Sequence, residues 1–166
     1  MPVNPIAFQV HGGRLTRVCI DSLQDGDFSG ALYNACMPRE IPFQGVAGLL
    51  RGMEQIMDLL TIPQSYELHR TFDGLDDAKP NAGKLRLEDA MGEQAAERKM
   101  GQKATFLVQV QFRQNATWQG TITWTEGKKV QHFRSTLELI KLMSDAVEPV
   151  DPSAPELGEW KEAPKK

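Results

Sequence analysis

Between Phe106 and Arg113 the chain alternates Phe106, Val108, Val110 and Phe112 with Leu107, Gln109, Gln111 and Arg113. That is the period-two pattern of a half-buried strand. From Trp118 to Thr125 the alternation returns, with Trp118, Gly120, Ile122 and Trp124 on one side and Gln119, Thr121, Thr123 and Thr125 on the other. Glu126-Gly127 supplies the positive-φ position a tight hairpin needs, and Lys128 to Phe133 returns as a short third strand. Ser135 followed three residues later by Glu138 has the spacing of a capping box. The apolar positions Leu139, Ile140, Met143 and Val147 then recur as one helix face. The stretch predicts a three-stranded antiparallel meander closed by a helix.

The same order of signals occurs upstream. Ile6 to Val10 predicts a short strand, His11 to Gly13 a turn, Leu15 to Ile20 a strand, Phe28 to Met37 the next, and Ile41 to Phe43 the lead into a helix over about Val46 to Leu60. When Phe28-Ser-Gly30 is laid on Trp118-Gln-Gly120 without gaps, Leu32 falls on Ile122, Phe43 on Phe133, Leu49 on Leu139, Leu50 on Ile140 and Met53 on Met143. Matched spacing of aromatic, glycine and helix face favours two related units over two independent meanders. Pro63 ends the first helix region, and Ser65 to Phe72 alternates as a further strand without a counterpart in the second unit.

Between the units the composition changes. Asp73 to Gln102 is rich in charge and glycine, contains Pro80, and has no aromatic or β-branched residue. Such a stretch buries too little apolar area to offset its ordering entropy. The expected organisation is a first βββα-like unit with an extra strand over 1–72, a flexible charged linker over 73–103 that is part helical near Leu85 to Met100, a second βββα unit over 104–147, and a disordered acidic, proline-rich tail over 148–166. Trp160 in that tail is read as packing back on the body or as a docking residue.

The chain has 166 residues, 40% hydrophobic and 25% charged, with a net charge of −3. These values fit an ordinary globular core and provide no overall field for a polyanion. Neither a membrane-length apolar run nor a signal-peptide pattern is legible, which predicts a cytoplasmic protein. Cys19 and Cys36 fall in predicted strands and read as two buried thiols.

Catalytic chemistry is hard to find in the pattern. His11, His69 and His132 stand in separate elements with no zinc spacing, and His132 beside Phe133 reads as a half-buried structural histidine. Asp21 to Asp27 (DSLQDGD) resembles a calcium loop, but Leu23 and Leu32 occupy ligand positions, so a solvated hairpin turn is expected there. No serine or cysteine has a nucleophile context. Asn115-Ala-Thr117 matches a glycosylation sequon, a signal that matters only on secretion. The expectation is no enzyme, no cofactor and no metal.

The remaining candidate is the sheet face opposite the core of the second unit, carrying Gln109, Gln111, Arg113, Gln119, Thr121, Thr123 and Thr125, extended by Lys129 and Gln131. Such a face is ordinarily solvated. It is also rich in groups that donate and accept. The segments FRQNATWQGTITW and HFRSTLELIKLM resemble a group of small uncharacterised bacterial proteins in which a W-x-G strand precedes an F-R-x-x-L-E-L helix start, and IPFQGVAGLLRGMEQIMD is similar to the first half of that group. The resemblance implies a shared architecture and supplies no activity, cofactor or site residue.

The sequence therefore predicts an α+β protein of two related βββα units in one compact body, with helices on one side of the sheets. The leading functional expectation is a non-enzymatic protein-binding or adaptor module, a partner protein or a second copy being joined through exposed strand edges. The alternative is a nucleotide-like ligand or nucleic acid on the Gln/Thr/Arg face, with Arg113, Lys128, Lys129 and Arg134 as phosphate contacts.

Overall fold

The computed structural model describes residues 13–61, 63, 65, 69–76 and 85–148. The strand expected over Ile6 to Val10, the tail beyond Glu148 with Trp160, and part of the expected linker lie outside them. Strands β1 (Thr16–Gln24), β2 (Asp27–Asn34) and β3 (Ile41–Gln44) lead into helix α1 (Gly45–Leu60). A small hairpin of β4 (His69–Thr71) and β5 (Gly74–Asp76), a 3-10 turn at Leu87–Asp89 and the short helix α2 (Glu93–Glu97) follow. The chain then repeats the first order of elements with β6 (Ala104–Gln114), β7 (Thr117–Trp124), β8 (Lys129–Phe133) and helix α3 (Thr136–Val147). The protein is α+β, with one six-stranded antiparallel sheet in the order β3-β2-β1-β6-β7-β8.

The two outer hairpins are built alike. Ile20 lies opposite Gly30 and Val110 opposite Gly120, and all eight residue pairs of β1 with β2 recur 90 residues later in β6 with β7. Each long strand carries a bulge at the same place, Asp21 in β1 and Gln111 in β6. A Cβ on Gly30 would run into the carbonyl oxygen of Cys19, and one on Gly120 into that of Gln109. The turns also match: Asp25 and Gly26 stand at φ 52° and 76°, Asn115 and Ala116 at 56° and 54°. Two consecutive positive-φ residues make the hairpin turn whose twist suits the strands. Strand β1 thus runs to Gln24, and the expected seven-residue loop shrinks to Asp25-Gly26. In the second unit the turn before β8 differs from expectation, because positive φ falls on Lys128 and not on Gly127, which lies under the Trp124 ring.

The middle of the sheet is self-complementary. Strand β1 pairs with β6 antiparallel, Arg17 facing Leu107, Val18 facing Phe106 and Thr16 facing Val108. Arg17 and Leu107 are themselves separated by 90 positions, so the register is unchanged when the two halves are exchanged.

Helices α1 and α3 cover one side of the sheet. Leu49, Met53, Ile56, Met57 and Leu60 form the buried stripe of α1, and Leu139 and Met143 that of α3. They close on Val18, Ile20 and Leu32 from the first half and Phe106, Val108 and Ile122 from the second, all of one cluster. Fully burying a side chain of this size is worth roughly 1.5–3 kcal/mol. Each helix start is tied to its own hairpin: Asp27 Oδ1 accepts the Val46 N–H at 2.8 Å, and Thr117 Oγ1 accepts the Thr136 N–H at 2.8 Å. Ser135 additionally accepts the Glu138 N–H at 3.1 Å, as the capping box predicts, while the Glu138 carboxylate turns to the Arg134 N–H.

The other side of the sheet is not wholly open to solvent, in contrast to the solvated face that the pattern predicts. Residues 91–103 run over its first half. Met91 and Gly92 donate backbone N–H groups to the carbonyls of Met37 and Ala35 at 2.9 and 3.0 Å, and Lys103 donates to Ile20 at 2.8 Å. Arg17 donates to the Lys99 carbonyl at 3.2 Å, and the Lys99 ammonium stands 5.6 Å from the centre of the Tyr33 ring. Among the described residues no helix is long and apolar enough to cross a membrane.

Candidate functional site

The outer face of β6 and β7 is where the sequence pattern places its candidates, and four of them meet there. Gln109 pairs with Thr121, Leu107 with Thr123 and Gln119 with Phe112, so Gln109, Gln119, Thr121 and Thr123 share one surface and are all half-buried. Gln111 sits in the bulge, exposed. Towards the sheet edge the surface continues through Val130, opposite Thr123, and His132, opposite Thr121, and not through the expected Lys129 and Gln131, which pair with the core-facing Trp124 and Ile122 and so fall on the helix side. His132, expected half-buried, is exposed.

Arg113 is not on this face. The extra residue at Gln111 inverts the alternation beyond it, which sends Arg113 to the helix side and Phe112 outward. Phe112 is 52% exposed and Arg113 is buried. Its guanidinium donates to the Pro63 carbonyl at 2.7 Å, to Asp58 at 2.7 Å and to Glu54 at 3.1 Å, and the Trp118 indole N–H donates to the other Glu54 oxygen at 2.5 Å. The Arg113 side chain is 5% exposed, against 45% for Glu54 and 30% for Asp58. A buried guanidinium held by two half-exposed carboxylates ties β6 to the last turns of α1, its Nε and Nη1 donors both spent within the fold. Counting outward from the Asn115-Ala116 turn would have revealed this, because the two-residue turn pairs Arg113 with Trp118 directly.

The other expected phosphate contacts do not converge either. Arg134 and Glu138 form a 2.8 Å ion pair at the start of α3, and hydrogen bonds from Arg134 hold the Glu138 carboxyl below its usual range. Lys128 and Lys129 are exposed at the β7–β8 turn. Only those two lysines are neighbours.

Other chemistry is sparse. Burial pushes the thiols of Cys19 and Cys36 up to about 11, so both stay protonated and unreactive at neutral pH. Among the described residues no three His, Cys, Asp or Glu side chains gather to hold a metal ion. The crevice between α1 and β6, lined by Met53, Ile56, Met57, Val108 and Val110, holds about 10 Å³, room for a single water.

The sheet edges are unlike. Strand β3 is four residues long, contains Pro42 and runs directly into α1. Strand β8 is five residues long and has no proline, with Lys129, Val130 and His132 exposed. No protein-family model, curated protein or solved structure matches this chain.

Proposed function

We propose that the chain is a non-enzymatic protein-binding module that joins another protein, a second copy included, by strand addition at β8. The observation that carries this reading is the asymmetry of the edges. A strand at the end of a sheet can template another strand, and a proline there is a common device for blunting it. The β3 edge carries such a proline and the β8 edge does not, while Val130, 53% exposed, offers an apolar contact beside the backbone groups. The test is sedimentation of the concentrated protein, and of any complex purified from its own cells, with and without Val130→Lys. Association weakened about tenfold by the lysine supports the reading. Association that ignores the substitution, or a monomer at every concentration with no partner, removes it.

The alternative, a nucleotide-like ligand or a nucleic acid, retains Gln109, Gln119, Thr121 and Thr123 as a polar surface but has only Lys128 and Lys129 together for phosphate. Binding that falls steeply with salt and with Lys128→Ala/Lys129→Ala would favour it.

We also read the two halves as copies of one βββα unit. The shared strand register, the bulges at Asp21 and Gln111, the paired positive-φ turns and the hairpin-to-helix bonds of Asp27 and Thr117 support this.

A further inference from the structure

We propose that the outer face of β6 and β7 is a seat for a segment of the chain itself, and that residues 1–12, which lie outside the described residues, are its occupant. The template is the other half. There residues 91–102 immediately precede Lys103 and the strand β6, and they bury Arg17, Cys19 and Ala31 on the outer face of β1 and β2. Shifting by the 90 positions that relate the hairpins carries 91–102 onto 1–12, Lys103 onto Gly13, and the covered face onto Leu107, Gln109 and Thr121. Those three are half-buried where their counterparts are buried. Thr125 stands at the place of Ala35, whose carbonyl takes the Gly92 N–H, and the Thr125 hydroxyl is buried without a hydrogen-bond partner.

The described chain begins at the right place for this. The Gly13 carbonyl is held by the Asn34 amide at 3.0 Å, and β1 then begins at Thr16, opposite Val108 of β6, so the chain enters at the border between the two halves. The character of seat and occupant also changes together. In the first half the seat contains Arg17 and the segment over it is charged, with Glu93, Glu97, Arg98 and Lys99. In the second half Leu107 replaces Arg17, and residues 1–10 contain no charged side chain but alternate Ile6, Phe8 and Val10. An uncharged, apolar-alternating segment suits a seat of leucine, glutamine and threonine, since neither side leaves a charge to be desolvated. The inference goes beyond strand addition at β8, and either can fail without the other.

The experiment places a thiol at the centre of the seat, Thr121→Cys, and follows its reaction with 5,5′-dithiobis(2-nitrobenzoate). The native thiols give little background, being buried with their pKa values raised to about 11. In the whole chain the new thiol should react about tenfold more slowly than in the same variant lacking residues 1–12. Phe8→Asp in the whole chain should release it similarly, so the result does not depend on the shortened chain folding. Ala31→Cys, in the covered half, should stay slow throughout. Equal rates for Thr121→Cys in the whole, shortened and Phe8→Asp chains overturn the proposal. Protection that disappears on dilution overturns it as well, by assigning the seat to a second copy.

Discussion

The two halves of the sheet share a strand register and differ in what they do with their surroundings. In the first half the outer face is roofed by 91–103, the bulged strand sends Leu23 inward, and the edge strand contains a proline. In the second half the outer face exposes Phe112 and Val130, the equivalent inward position holds Arg113, and the edge strand has no proline. A backbone pattern set by hairpin turns, bulges and two glycines tolerates wide changes in side-chain chemistry, because register depends on pairing and turn geometry more than on what each position carries. The differences therefore fall on surfaces and on one buried arginine with its two carboxylates.

Five substitutions sharpen or break the comparison. Arg113→Ala should cost about 3 kcal/mol in urea unfolding, near the lower end for a broken buried pair because Glu54 and Asp58 still reach water. Arg113→Leu, which installs the residue type that the first half uses, should lose less, and an equal loss would show that Leu23 and Arg113 do not occupy equivalent environments. Gly30→Ala and Gly120→Ala should each destabilise by about 2 kcal/mol, since each forces a methyl into the opposing carbonyl. If only one of them is costly, the two hairpins are not built alike. Ala116→Gly should stabilise by about 1 kcal/mol, because Ala116 holds a left-handed conformation at φ 54° that glycine accepts freely, as Gly26 does in the first half.

The smallest effect belongs to the exposed Arg134–Glu138 pair. Arg134→Ala should leave the urea midpoint nearly unchanged at neutral pH. Because the folded state lowers the Glu138 pKa, its contribution is present above the ordinary glutamate range and is lost as pH falls through the folded value. The difference between Arg134→Ala and the parent should therefore shrink on acidification, and a difference that grows there would contradict that sign.

Much of the second half was legible locally. Alternation from Phe106 to Val110 and from Trp118 to Trp124, the Ser135–Glu138 spacing and the apolar stripe of α3 all appear where the pattern places them. The candidate face was legible through Gln109, Gln119, Thr121 and Thr123, which alternation alone puts on one side. It failed at Arg113, since a bulge adds one residue without interrupting the run of strand-forming side chains, and every side chain beyond it changes face. Phe112 was missed for the same reason.

What the sequence by itself determined are the features carried by short-range chemistry: period-two strands, a hairpin turn within Asp21 to Asp27, the helix cap at Ser135 and the core-facing stripes of α1 and α3. What only the tertiary structure decided are the features that depend on distant partners. The pairing of β1 with β6 joins the halves into one sheet, and the carboxylates that receive Arg113 come from α1, more than 50 positions away. Residues 91–103 read as too polar to order by themselves, yet they settle on the sheet because Ala35, Met37 and Ile20 offer carbonyls to their N–H groups and Arg17 takes the Lys99 carbonyl. Local propensity measures what a segment gains alone, whereas these contacts exist only once a second surface has formed.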